Sequence, residues 1–115
     1  DDGRGAEARA ARAQVVKALL TQLASEYSRG VEGPTVTNAP EYQDAYGFST
    51  VALRLIEEAA REGSAGDANQ AAELRREAEA LVNMFPTASP PPPPAAPGEV
   101  QAQISRIQLA FPGME

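Results

Sequence analysis

The chain has 115 residues, enough for one domain with a modest core. Its 43% hydrophobic fraction is largely alanine, and three Tyr, three Phe and no Trp leave few large core pieces. The net charge is −6, with its few cations interleaved with Glu, which argues against nucleic-acid binding; with no His and no Cys it excludes disulfides, the usual zinc sets and a Ser-His-Asp or Cys-His nucleophile pair.

Residues 1–5 read as a disordered leader rich in Asp and Gly. From residue 6 to about 29 the spacing predicts a helix, with Val16, Leu19, Leu20, Leu23 and Tyr27 on one stripe. Gly30 reads as its stop. Gly33-Pro34 marks a loop, and Val36 is too isolated to build a sheet. Asn38 with Glu41 three positions later reads as a capping-box-like start, with Pro40 in the first turn. The second helix runs from 39 to about 62. Its apolar set includes Tyr42, Tyr46, Phe48, Leu53, Leu55 and Ile56, too wide for one stripe, so it contacts neighbours on two sides and is expected to be central.

Residues 63–66 are a turn, and Asp67 with Gln70 offers a second capping box. A third helix follows over about 68–84, with Ala71, Leu74, Ala78, Leu81 and Phe85 on one face and Pro86 ending it. The stretch 87–98 contains five consecutive prolines, 90–94, and reads as polyproline II. At ~3.1 Å per residue it is long enough to cross a helix length, so it would place the last helix parallel to the third, or antiparallel if it bends back. The fourth helix spans 99 to about 111, with Val100, Ile104, Ile107 and Phe111 in register. The domain reading is therefore a three-helix core (6–85), a proline-rich linker (86–98) and a fourth helix (99–115) packed on that core. The fold class is all-α, a four-helix bundle with a polyproline crossover. No apolar run approaches the ~20 residues that span a bilayer.

The stretch 31–48 holds three of the aromatics: Tyr42, Tyr46 and Phe48. Tyr42 and Tyr46 share a helix face, and Glu26 and Tyr27 come close if the hairpin closes. Glu41, Asp44, Glu26 and Tyr42 would then offer oxygen ligands to iron or another hard cation. The simpler reading has the tyrosines packing and the acids serving the helix start. Tyr46, Phe48 and Leu55 mark the broad apolar face of the second helix, a candidate interaction surface. The proline run reads first as a semi-rigid spacer and second as a ligand for a proline-binding groove. Gly47 reads as a point of close packing. Glu57, Glu58 and Glu62 carry carboxylates, but on an exposed face they solvate rather than catalyse, so no enzyme is expected.

Val36, Asn38, Glu41, Tyr42, Asp44 and Phe48 resemble a pattern of bacterial high-affinity iron permease proteins. There a helix ending near a Tyr and a Gly-containing loop precede a Val-x-Asn-x-x-Glu-Tyr helix start. Glu26-Tyr27-Ser28-Arg29-Gly30-Val31 fits the first part, and the resemblance spans about residues 15–60. Gly47 stands where a polar or acidic residue is expected, and Asp44 replaces a Glu. The permease's Arg-Glu-x-x-Glu motif belongs to its membrane helices and is absent, so transport itself is not implied. The resemblance implies a periplasmic helical domain, with Glu41 and Tyr42 as matching positions, sometimes found beside a cytochrome c domain. The functional expectation is a non-enzymatic accessory domain or subunit. It would lie outside the cytoplasmic membrane and dock on a larger membrane or cytochrome-containing assembly, with no cofactor. The alternatives are an iron-binding domain serving a transporter and a cytoplasmic helical adaptor.

Overall fold

Four helices lie side by side in a computed structural model, which describes residues 2–63, 65–85, 92–112 and 114, without the side chains of 2–6 and 9. They are α1 (Asp2–Gly30), α2 (Ala39–Arg61), α3 (Ala68–Asn83) and α4 (Pro97–Ala110). The molecule is elongated, 49 × 22 × 20 Å. Its long axis follows α1, whose 29 residues rise about 43 Å. The helix reaches Asp2, so the leader expected over 1–5 is corrected: Ala6, Ala8 and Ala10 support helix strongly enough to carry Gly3 and Gly5. The expected start of the proline stretch, 86–91, lies outside the described residues.

Each helix packs on two others in a closed ring of α1 on α2, α2 on α3, α3 on α4 and α4 on α1. Hence α2 has neighbours on two sides, and its faces with α1 and α3 are the two most extensive helix contacts. The core is built from Val16, Leu20 and Leu23 of α1, Ala52 and Ile56 of α2, Leu74 and Leu81 of α3, and Val100, Ile104 and Ile107 of α4. These are the stripes that helical periodicity marks.

Neighbouring helices run antiparallel throughout. Arg12 near the start of α1 pairs with Glu62 just past the end of α2, while Arg29 at the other end of α1 reaches Glu41 at the start of α2. On α4, Gln103 bonds to Glu77 of α3, and Leu109 lies with Glu73, one turn nearer the start of α3. α4 is thus antiparallel to α3, the second of the two directions that the sequence left open. Phe85 after α3 and Ala95 before α4 sit at the same end, because both contact Tyr27.

The joint between α1 and α2 is a small hairpin, β1 (Val31–Glu32) and β2 (Thr35–Val36), pairing Val31 with Val36 and Glu32 with Thr35. Gly33 has φ 58°, the positive value that a two-residue hairpin loop favours. Val36, read as too isolated for a sheet, gains its partner from the residue just beyond α1.

The two helix starts differ. Asp67 and Gln70 complete a capping box, the Gln70 amide donating to the Asp67 carboxylate at 2.8 Å and the Asp67 amide donating to Gln70 Oε1 at 2.7 Å. At α2 only half of the box forms: the Glu41 amide donates to Asn38 Oδ1, while the Glu41 carboxylate turns to Arg29. Asp67→Ala is therefore expected to lower stability by about 1 kcal/mol, against a smaller loss for Asn38→Ser, read from urea midpoints. An unchanged midpoint in Asp67→Ala would show the box to be idle.

α4 carries one buried polar side chain, Gln103. Its amide donates to the Glu77 carbonyl and the Glu77 carboxylate at 2.8 and 2.9 Å, and its oxygen accepts from Arg106 at 2.9 Å. Among the described residues, no buried polar side-chain atom is left without a partner. That satisfies the condition under which a polar group in a core fixes one register.

Candidate functional site

The chemistry-bearing residues gather at the end where α1 meets α2. Tyr27 comes from the last turns of α1, Tyr42 and Tyr46 from the first turns of α2, and Phe85 from just past α3. Phe85 is the hub: its ring centroid lies 5.5 Å from Tyr27, 5.5 Å from Tyr42 and 5.6 Å from Tyr46. Tyr27 meets Phe85 edge to face, at 89°, and its ring lies 5.9 Å from Tyr42. Such geometries add about 0.5–1.5 kcal/mol per pair beyond burial.

Phe48, expected in this cluster, is not part of it. Two residues beyond Tyr46 the helix has turned by about 200°, so Phe48 packs half-buried on another side of α2. Phe85 was legible as the last member of the α3 stripe. What the sequence did not show is that this stripe ends against the tyrosines.

Tyr27 is the most constrained of the four. It is 1% exposed and its hydroxyl donates to the Ala95 carbonyl at 2.6 Å. Burial pushes its phenol up to about 12, with smaller contributions from Tyr42 and Glu99. Burial raises Tyr42 as well. A phenol raised on folding stabilises the fold in its neutral form. That contribution is whole below pH 10 and is lost as pH rises from 10 to about 12. Between those pH values the urea midpoint should fall, and Tyr27→Phe should flatten the fall. A variant with the full native pH slope would place the loss elsewhere.

The oxygen ligands expected for a cation arrange differently from the expectation. Glu26 and Glu41 do converge, but Arg29 lies between them, at 3.2 Å from Glu26 and 3.3 Å from Glu41. Gln22 donates to Glu26, and Arg29 also donates to the Ser25 hydroxyl at 2.9 Å. Tyr42 turns its ring into the aromatic cluster, and Asp44 is exposed. Among the described residues no three acidic side chains come together as a metal-holding group. Of the set Glu26, Glu41, Asp44 and Tyr42, the structure brings Glu26 and Glu41 together across Arg29. The reason is local: Arg29 lies three residues after Glu26, on the same face of α1, and supplies the positive charge itself.

The apolar breadth of α2 is largely used inside the bundle. Tyr46 packs on Phe85, and Phe48, Leu53 and Leu55 lie half-buried against the core. The most exposed large apolar side chains are Leu109 of α4, at 80%, and Val15 of α1, at 51%. Gly47, read as a close contact, faces open space. The close contact belongs to Gly30, where an added Cβ would come within 2.9 Å of the Tyr42 amide nitrogen.

At the opposite end the Arg12 guanidinium holds the Glu62 carboxyl below its usual range by hydrogen bonding. Glu57 lines an open groove between α2 and α3 with Arg61, Arg75 and several alanines, and Glu58 lies half-buried on the same helix. None of these carboxylates sits in an enclosed cleft with a second reactive group.

Among the described residues no helix is long and apolar enough to cross a membrane. No curated protein and no solved structure matches the chain. One family does, the iron permease-associated 4-helix bundle domain, over residues 4–113. That span takes in all four antiparallel helices, the aromatic end and α4 with its Gln103 lock, so the resemblance seen over about residues 15–60 extends to the whole bundle, and the chain belongs to the iron permease-associated four-helix bundle domain family.

Proposed function

We propose that this chain is a non-enzymatic accessory domain that docks, on the extracytoplasmic side, on the membrane assembly of an iron transporter. The observation that carries this reading is the family membership over residues 4–113. The bundle supports it by its chemistry. Its tyrosines are packed together and its converging carboxylates are bridged by Arg29, so the aromatic end is built for packing. Contact with a membrane protein would then run through the bundle surface, and the half-exposed Phe48 and Leu55 on α2 supply apolar area for it. The permease is the favoured partner. A cytochrome-containing assembly is the alternative.

The test is affinity capture of the tagged chain from detergent-solubilised membranes of its own source, with mass spectrometry of what comes with it. The expected result is an iron permease in the native capture and its loss with Leu55→Asp plus Phe48→Asp, both variants keeping native helix content. Capture that survives both substitutions would remove α2 from the interface. Capture of no membrane protein would overturn the docking reading, and a cytoplasmic partner would support an adaptor instead.

Iron held by the domain itself is the second reading, favoured by the convergence of Glu26 and Glu41. Iron there would find two carboxylates, each already bonded to Arg29, so this reading stands behind docking. A ferric-iron titration that raised the melting temperature, and lost that gain in Glu41→Gln, would reverse the order.

A further inference from the structure

Gly47 weakens the interior of α2, and the bundle makes no use of the space it leaves: an added Cβ would meet no atom within 4 Å. The helical period sets this opening in a larger surface. Glu26 and Arg29 mark the side of α1 that faces α2, because Arg29 bridges Glu26 to Glu41. Val15 and Leu19 stand on that same side, about three and two turns before Glu26. Glu62 marks the side of α2 that faces α1, because it pairs with Arg12. Val51 and Leu55 stand on that side, about three and two turns before it, and Gly47 is about one turn before Val51. Val15 is 51% exposed, Gly47 is exposed, and Leu19, Val51 and Leu55 are half-buried. An apolar strip with an open gap at Gly47 therefore runs along the outside of the α1–α2 seam.

Both ends of the strip are acid-rich. At one, Glu58 and Glu62 both act on Arg12; at the other, Glu26 and Glu41 share Arg29, with exposed Asp44 one turn beyond Glu41. Even with Arg54 at the outer edge, five acids stand against three arginines. An apolar centre bounded by a charged rim is the anatomy of a protein interface.

We propose that this strip takes one helix of the membrane assembly, an amphipathic segment with an apolar stripe and basic residues toward both of its ends. The proposal rests on the docking reading and gives it a surface and a partner chemistry. The apolar stripe seats on Val15, Leu19, Val51 and Leu55, and one side chain of the partner enters the space over Gly47. A helix fits the length: from Arg12 to Arg29 α1 rises about 25 Å, which a partner helix of about five turns covers. The rim decides the sign of the occupant. A second copy brings the same acid-rich rim and a net charge of −6, and an anionic lipid surface brings phosphates, so both are repelled. Cations at the two ends of a partner helix instead meet the acids that outnumber Arg12 and Arg29.

The experiment uses the assembly captured through the tagged full chain. The protein has no cysteine of its own, so a photoactivatable thiol probe is carried on Val15→Cys or, for comparison, on Leu109→Cys. Leu109 is 80% exposed and lies beside Lys17 on the α4 side of the bundle. Irradiation should join Val15→Cys to an apolar helical segment with Lys or Arg toward both ends, and leave Leu109→Cys unjoined to it. A synthetic peptide of that segment should bind the purified chain. Glu58→Lys plus Asp44→Lys should weaken that binding at least tenfold, and Gly47→Leu should weaken it several-fold while circular dichroism shows both variants folded. A cross-link from Leu109→Cys alone, a segment with acidic ends, or a Val15→Cys cross-link to a second copy overturns the proposal and leaves docking standing. Peptide binding unchanged by the charge reversals or by Gly47→Leu overturns it as well. Capture of no membrane protein at all removes the docking reading together with this surface.

Discussion

Phe85→Ala is expected to lower stability by about 3–5 kcal/mol, the range for emptying a buried aromatic site. Against a total of about 5–15 kcal/mol for a domain of this kind, that is a large share. The physical reason lies in where Phe85 sits. It follows the last turn of α3 and is buried, with ring contacts to α1 through Tyr27 and to α2 through Tyr42 and Tyr46. Truncation leaves a cavity lined by three phenol rings that other elements hold in place, so the site cannot collapse cheaply. Phe85→Leu keeps most of the volume and loses the ring geometry, so it should cost less. Phe48→Ala is the comparison, because Phe48 is half-buried and outside the ring cluster. Urea unfolding followed by circular dichroism gives all three values. If Phe85→Ala cost no more than Phe48→Ala, the aromatic end would not be the strong point of the bundle.

Two glycines are expected to respond to the same substitution with opposite signs. At Gly30 an added Cβ would lie 2.9 Å from the Tyr42 nitrogen, 3.1 Å from the Asn38 oxygen and 3.1 Å from the Glu41 Cβ. Two of these are backbone atoms at the start of α2, which cannot rotate out of the way. The Gly30 carbonyl also accepts from the amides of Thr37 and Asn38 at 2.8 and 3.2 Å, so moving the helices apart strains those bonds. Gly30→Ala should cost about 1–3 kcal/mol and Gly30→Val more. At Gly47 nothing lies within 4 Å of an added Cβ, and the residue is in the interior of α2. Gly47→Ala should therefore stabilise by about 0.5–1 kcal/mol, by removing unfolded-state entropy and raising helix propensity. A stabilising Gly30→Ala would contradict the close approach of α1 and α2.

The same close approach explains why the acids at this end are not arranged as ligands. With α1 and α2 nearly touching at Gly30, Arg29 is brought beside Glu41 while remaining one helix turn from Glu26. The site is a structural clasp first. Iron at this end would share the Glu26 and Glu41 carboxylates with Arg29.

The sequence by itself determined the helices and their inward faces. Stripes such as Val16, Leu20 and Leu23, or Val100, Ile104 and Ile107, follow from 3.6-residue periodicity, and caps such as Asp67 with Gln70 follow from the orphan amides of a helix start. The pattern around Asn38, Glu41 and Tyr42 was enough to point to the family. These signals are local, so they are written in short spans of chain. What only the tertiary structure decided were the meetings between distant residues. Periodicity fixes which face a side chain occupies but not which helix lies opposite. That Phe85 gathers three tyrosines, that Arg29 separates Glu26 from Glu41, and that Gly30 rather than Gly47 is the tight spot all depend on antiparallel packing of α1 on α2 and α3 on α2. The direction of α4 was open for the same reason. A proline run specifies how stiff a connection is, and only burial at its two ends, on Tyr27, specifies where it returns.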